Sequence, residues 1–385
     1  GVRNKCNLEV GEDVSGQMMA GYRLGRFSNG ESGVGTDASS FLEPTATKAI
    51  VAAFNAFLKT SKFQYFRQFG DAAGGVWRSI TIRRTEHTKD LLVLVTARNP
   101  TRQEDLRLTP STPKKARTEE SGGGEGEEGG EGGVSSLWLA TGNSLQDGDL
   151  TLRHLDGAEF IVEKAAGCEF CISPLAFFQT NTSVMECIYA RAGQLIRWKE
   201  ADAPRKEGGG SVLLDVCCGA GTIGQSLYPD CSGVVGIETV VEAVADARRN
   251  ALRNGVRDAL YIADRADRAL KHCFERKSGV ELVAVVDPPR QGLVKKTISQ
   301  LRNTRQIQKI VYISCNPTGS FVSDFIDLCR APKSKGKGLR GTPFRLVCAQ
   351  PADMFPCTTH VELVALFVRT SRKRRVVTTS SEAEI

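Results

Sequence analysis

The sequence predicts an α/β protein: a doubly wound, mostly parallel sheet closed by an antiparallel C-terminal strand pair, preceded by a smaller α+β domain. Three observations predict it. From residue 211 onward, short apolar segments alternate with helix-length amphipathic ones, as strands and crossover helices do. ELVAVVDPPR (281–290) opens on a continuous apolar run, which a strand buried on both faces requires. The end, FRLVCAQPADMFPCTTHVELVALFVR (344–369), reads as two strands with a long connection but no helix between them, hence an antiparallel pair.

Residues 1–165 form the predicted α+β domain. FLEPTATKAIVAAFNAFLKT places Ile50, Ala53, Phe54 and Phe57 at helical spacing, with Pro44 near the start. WRSITIRRTEHTKDLLVLVTAR reads as two strands around a polar turn at His87–Asp90. Residues 99–133 are Pro, Gly, Glu and Lys with almost nothing to bury, which predicts a disordered insert in a loop. Strand-like SSLWLA resumes directly after it. KEADAPRKEGGG (199–210) reads as a connection and 331–341 as a basic loop.

The second predicted domain spans 166–370, followed by a disordered basic tail, 371–385. SVLLDVCC is its first strand and opens into GAGTIG; VVGIE is the next strand, followed by a helix that Gly255 ends. ALYIADRADRAL holds a short strand. KIVYISCNP is another strand, followed by helical SFVSDFIDLCR.

Charge and cysteine content narrow the function classes. The net charge of +7 permits a polyanionic partner without requiring one. Twelve cysteines without regular spacing are not a disulfide framework, so reduced thiols in an intracellular compartment are expected. Cys168-x-x-Cys171 has no second pair at zinc spacing, so no metal is expected. No apolar run is long enough for a membrane span.

Two places carry chemistry. LLDVCCGAGTIG (213–224) follows a strand and opens a helix, and its glycines allow close approach of a ligand. Asp215 precedes them, Glu238 ends the next strand where it could accept from ribose hydroxyls, and Asp264 lies in the third strand–helix turn, within reach of an adenine amino group. Lacking a phosphate-loop lysine, the turn disfavours ATP, and its spacing weakens the case for NAD. It resembles the S-adenosylmethionine loop of Rossmann-like methyltransferases. The second place is a set of strand ends: Asp287 in DPPR, Cys315 in YISCNP and Glu362 in DMFPCTTHVE. Arg290 stands where amino-group methylases carry a base-stacking aromatic, which disfavours that reaction. A strand-end thiol beside a carboxylate suits pyrimidine chemistry. A thiolate adds to C6, C5 becomes nucleophilic and takes a methyl group, and a base removes the C5 proton so that the thiol can leave.

FFQTN (177–181), LLDVCCGAGTIG, GIE, DPPRQGL, YISCNP and DMFPCTTHVE, in this order, resemble the RNA uracil-5 methyltransferases of the TrmA/RumA type. RNKC (3–6) and GYRLGRF (21–27) are similar to that family's central domain. The resemblance covers nearly the whole chain apart from the insert, linkers and tail. It implies a Rossmann-like, S-adenosylmethionine-dependent methyltransferase domain in which Cys315 is the nucleophile, Glu362 the base, and Asp287 a hydrogen-bonding group near the reacting ring. Gln179, Cys217, Thr222, Glu238, Asp264 and Asp287 would line the S-adenosylmethionine pocket, and Arg3, Lys5 and Arg290 would face RNA. Cys357 replaces a histidine usual in the family, and Thr222 an asparagine usual in bacterial members.

The absence of a cysteine cluster and the low-complexity insert favour the eukaryotic tRNA-directed branch, acting on a T-loop uridine in the cytosol or nucleus, with the mitochondrion open. The abrupt start fits an N-terminal RNA-binding module ahead of this segment. Two alternatives stay open: a cytosine-5 RNA methyltransferase, with Cys357 as a second thiol, or a tRNA-binding or folding factor. A flipped base would need an aromatic face, for which Phe177 and Phe178 are candidates.

Overall fold

In the computed structural model, the structure describes residues 4–24, 33–35, 44–66, 75–98, 133–142, 150–198, 211–275, 281–332 and 339–370. Almost all of the expected insert, the linker at 199–210, the middle of the basic loop and the tail lie outside these residues.

The N-terminal half is built on a seven-stranded sheet of β1 (Lys5–Glu12), β2 (Met18–Arg23), β3 (Val34–Gly35), β4 (Trp77–Arg84), β5 (Leu91–Ala97), β6 (Ser136–Thr141) and β7 (Thr151–Gly157), in the order β3-β2-β1-β4-β5-β6-β7. Helix α1 (Thr45–Thr60) covers one face, where Cys6, Leu8, Ile80, Ile82 and Trp77 form a core with Phe54 and Leu58. The helix meets the sheet through Thr47, Phe54 and Leu58, while Ala53 is exposed. Ile50 and Phe57 also pack against this core, so of the four expected positions only Ala53 turns away from it. Strand alternation sends Leu92, Leu94 and Ala140 to the other face, where they enter the core of the C-terminal half.

The expected boundary at 165/166 falls in the turn of a hairpin, β8 (Ile161–Ala165) with β9 (Cys168–Ile172). Ile161, Phe170 and Ile172 pack into the C-terminal core beside α2 (Thr182–Arg197), whose first turn is capped by Asn181 Oδ1 accepting from Val184 N at 3.3 Å.

The second sheet is Rossmann-like. Its strands are β10 (Val212–Val216), β11 (Gly233–Glu238), β12 (Ala259–Ala263), β13 (Leu282–Val286), β14 (Ile307–Ser314), β15 (Phe344–Ala352) and β16 (Glu362–Arg369), in the order β12-β11-β10-β13-β14-β16-β15. The first five are parallel, and β16 runs antiparallel between β14 and β15. Strand order reverses between β10 and β13, and in open α/β sheets that crevice takes ligands. Helices α5 (Ala266–Glu275), α6 (Lys295–Asn303) and α7 (Ser320–Cys329) cover one face. Helix α2, the short α3 (Thr222–Ser226) and α4 (Val241–Arg253) cover the other. Helix α4 ends as its sequence demands: Gly255 has φ 65° and Val256 N reaches back to Ala251 O at 2.9 Å.

Candidate active site

The parallel strands deliver Cys217, Asp287 and Cys315 to one edge of the sheet, each just past the C-terminal end of its strand. Strand β16 runs the other way, so its first residue, Glu362, reaches the same edge. The β14–β16 register ends with Ser314 opposite Leu363, so one further step sets Cys315 opposite Glu362. Directly opposed residues of an antiparallel pair face the same side and sit roughly 5 Å apart.

Glu362 is 2% exposed. Burial, reinforced by the charge of Asp287, raises its carboxyl to about 8. Asp287 is raised to about 7, by burial first and then by Asp215. The half-buried Cys315 thiol is pushed up by burial and by both Glu362 and Asp287, and Arg290 opposes them. A cation that can favour the thiolate thus stands beside two carboxyls that disfavour it. The Arg290 side chain is exposed, and its backbone carbonyl accepts from Asn316 Nδ2 at 3.0 Å, which ties the DPPR turn to the residue after the thiol.

The glycine-rich turn lies between β10 and α3. Cys217, at φ 64°, and Gly221, at φ 77°, take left-handed conformations, and Gly221 leads into α3. A Cβ on Gly221 would lie 2.6 Å from Gln225 Nε2, and one on Gly236, in the adjoining β11, 2.4 Å from a Tyr261 ring carbon, so neither position has room for a side chain. Glu238 braces the turn: its Oε2 accepts from Gly219 N at 3.1 Å, and its Oε1 from Thr239 N at 2.6 Å and Val240 N at 3.0 Å. Asp264, half-buried, follows β12, and its backbone N donates to Glu238 O at 2.9 Å. Asp215 is fully buried, and its Oδ2 accepts from Gly224 N at 2.9 Å. Its Oδ1 has no hydrogen-bond partner among the described residues, and burial, then Glu238, raises its carboxyl to about 7. A glycine-rich backbone turn, a carboxylate at the end of β11 and an orphaned buried acceptor fit a nucleoside-bearing cation such as S-adenosylmethionine.

The remaining expected residues divide. Gln179 and Thr222 are half-buried, and Thr222 Oγ1 lies 2.9 Å from the Tyr189 hydroxyl. Cys217 is half-buried, and burial raises its thiol to about 12. Phe178 belongs to the core, whereas Phe177 is 66% exposed. Lys5 is half-buried at the start of β1, and Arg3 lies outside the described residues. Cys357 is exposed at φ 62° in the loop before Glu362. Among the described residues no group of three or more His, Cys, Asp or Glu could hold a metal ion, and no helix is long and apolar enough to cross a membrane.

Three residues escaped the sequence reading. Tyr189 is buried on α2 and feels the charges of Asp287, Asp215 and Glu362. Arg83, on β4, is buried beside Lys5. Asp324, on α7, accepts at Oδ2 from the Tyr312 hydroxyl at 2.6 Å and from Leu293 N at 2.7 Å, anchoring the far end of the turn that carries Arg290. Only Asp324 left a readable signal: with Phe321 and Leu328 it makes a helical stripe, an acid among apolar residues.

Comparison with known proteins places this architecture. A profile of the family described as "tRNA (Uracil-5-)-methyltransferase" matches residues 172–333. The human tRNA (uracil-5-)-methyltransferase homolog B is 32% identical over 96% of this chain and 70% of its own length. The chain belongs to this family. The mouse homolog A is 36% identical over 95% of the chain, but the chain spans only 57% of that relative and 56% of the human homolog A, little over half of each. A solved structure with the same fold is the Pyrococcus abyssi tRNA (uracil-54, C5)-methyltransferase in complex with S-adenosyl-L-homocysteine. It is 22% identical, with a TM-score of 0.65, over 95% of this chain and 76% of that one.

Proposed function

We propose that the chain transfers a methyl group from S-adenosylmethionine to C5 of a uridine in the T-loop of tRNA; the name of the Pyrococcus abyssi enzyme, which shares the fold, gives uracil-54 as its target. The observation that carries this reading is the register that opposes Cys315 to Glu362, beside Asp287 and Arg290, at the edge that also holds the glycine-rich turn. Glu238, Asp264, Thr222, Cys217 and Gln179 would hold S-adenosylmethionine, whose sulfonium supplies an electrophilic methyl group. Arg290 favours the Cys315 thiolate. Addition of that sulfur to C6 of the uracil makes C5 a nucleophile, and the ring takes the methyl group there. Glu362 then takes the C5 proton, the C5=C6 double bond re-forms, and the C6–S bond breaks to release the Cys315 thiolate. Asp287, protonated through part of the neutral range, can donate a hydrogen bond to the polar edge of the ring. A uridine in a folded loop reaches Cys315 only when flipped out of its stack, and the exposed ring of Phe177 offers it a face.

The test is nucleoside mass spectrometry on unmodified tRNA incubated with the protein and methyl-labelled S-adenosylmethionine. Labelled 5-methyluridine is expected from the wild type and none from Cys315→Ala. A T-loop uridine-to-cytidine transcript should stay unlabelled. Labelling of that transcript, or 5-methyluridine formed by Cys315→Ala, would overturn the reading.

A further inference from the structure

Two cations oppose each other where the first sheet meets the FFQTN segment. Lys5 on β1 and Arg83 on β4 are direct partners in the antiparallel register, so their side chains leave the same face. The arrangement is unfavourable. Burial, then the charge of Arg83, lowers the Lys5 ammonium to about 8, and burial lowers the Arg83 guanidinium to about 10. Arg83 is 4% exposed, and its Nη1 has no hydrogen-bond partner among the described residues. Among the described residues, the polar neighbours on this face do not neutralise the pair. Asn7 and Thr81 bond each other at 2.7 Å, and Glu9 is engaged by Arg23. A buried cation without a counter-charge is a strong liability in a folded protein, as is a like charge set opposite it.

The placement gives this liability a use. Cys6, Leu8, Ile80 and Ile82 face α1, so Lys5 and Arg83 face the other way. Arg83's partner on β5, Leu92, is in the core shared with Phe178 and the second sheet. Asn4, the residue before Lys5, is fixed to the FFQTN segment. Its backbone N donates to Thr180 O at 2.9 Å, its Nδ2 donates to Thr182 Oγ1 at 2.9 Å, and Arg84 N donates to Asn4 O at 2.9 Å. The two cations therefore flank the segment that holds Gln179 and Phe177.

We propose that Lys5 and Arg83 form a phosphate subsite for the RNA backbone next to the flipped nucleotide. Lys5, half-exposed, meets the phosphodiester, and Arg83 is the positive charge beneath it. A phosphodiester brings a negative charge that the described residues do not set against this pair, and one such contact adds salt-sensitive affinity without reading sequence. The inference rests on the RNA substrate proposed above.

Arg83→Met in the full chain tests it, because methionine keeps the aliphatic volume and removes the charge. Three measurements apply: melting temperature with and without inorganic phosphate, binding of a T-arm hairpin RNA across a KCl series, and S-adenosylhomocysteine binding. Without phosphate, Arg83→Met should melt higher than the wild type, and it should lose the rise that phosphate gives the wild type. Hairpin affinity should fall about tenfold at low salt, and the slope of log affinity against log salt should decrease by about 1. S-adenosylhomocysteine affinity should not change. Lys5→Met should give the same loss of slope and keeps the test open if Arg83→Met folds poorly. Wild-type hairpin affinity and slope in both variants would overturn the subsite while leaving the methylation reading intact. A wild type that ignores the hairpin, yet is stabilised by phosphate through Arg83, would overturn the RNA reading and keep the anion site.

Discussion

Glu362→Gln separates chemistry from folding at one buried carboxyl. Glu362 is 2% exposed, and its carboxyl is raised from 4.5 to about 8 by burial first and Asp287 second. At pH 7 about one molecule in ten carries the charged base. A raised acid contributes its full stabilisation below its unfolded value of 4.5 and loses it as pH rises through about 8, with a ceiling of about 5 kcal/mol. Glutamine is neutral at every pH and mimics the protonated acid in shape. The variant should therefore melt close to the wild type near pH 4, already above it at pH 6 by about 2 kcal/mol, and furthest above it at pH 9. Catalysis should move the other way. Losing a general base typically lowers turnover about 10²- to 10⁴-fold. Addition to C6 and methyl transfer do not use Glu362, so a covalent protein–RNA adduct carrying the methyl label should accumulate and survive denaturing electrophoresis. Wild-type turnover at saturating RNA should rise roughly fivefold from pH 7 to pH 8, as the charged fraction grows from about a tenth to about a half. Rapid turnover of the variant without an adduct would remove Glu362 from the base role, and a lower melting temperature at pH 9 would refute the burial argument.

Two further expectations follow from the surrounding geometry. Asp324→Ala leaves the Tyr312 hydroxyl and Leu293 N without their acceptor, at 2.6 and 2.7 Å in the wild type. Each buried donor left so costs about 1–3 kcal/mol in urea denaturation, and turnover should fall more than S-adenosylhomocysteine affinity because the turn carrying Arg290 is loosened; an unchanged urea midpoint would refute the anchor. Glu238→Gln should weaken S-adenosylhomocysteine binding about 10- to 100-fold by calorimetry while leaving hairpin RNA binding unchanged, and an unaltered cofactor affinity would dissociate the end of β11 from the pocket.

The second sheet was legible because each of its strands is a local pattern: continuous apolar runs in β10, β11, β13 and β14, each followed by a turn and a helix. Strands 151–172 were not, because β7 is almost wholly exposed and β8–β9 packs through only a few alternating residues. Of the site, Cys315, Asp287 and Glu238 were readable as polar residues that end apolar strands. Glu362 was harder. At a strand start an acid is ordinarily solvated, and its burial depends on which strand lies beside β16, a fact of topology. Arg83 was invisible for the same reason. In WRSITIRR it lies on the polar side of the alternation with Ser79 and Thr81, and it becomes buried through the contact of that face with the second half of the chain.

The antiparallel strand at the end of a parallel sheet explains why these groups meet. In a purely parallel sheet, every residue at the C-terminal edge follows an apolar run, and the next strand would begin at the opposite edge. Setting β16 antiparallel against β14 brings a strand start to the edge where the others end, so Glu362 and Cys315 come together one step beyond the last pair of the ladder, Ser314 and Leu363. The same topology crowds Asp287 and Asp215 behind them, and each carboxyl raises the next: Asp215 acts on Asp287, and Asp287 on Glu362. Groups so linked titrate as a set, and their apparent values belong to the set as a whole. A carboxyl near 8 is poorly suited to permanent charge and well suited to exchanging a proton at neutral pH, which the elimination step requires of a base that must take one proton and release it every cycle.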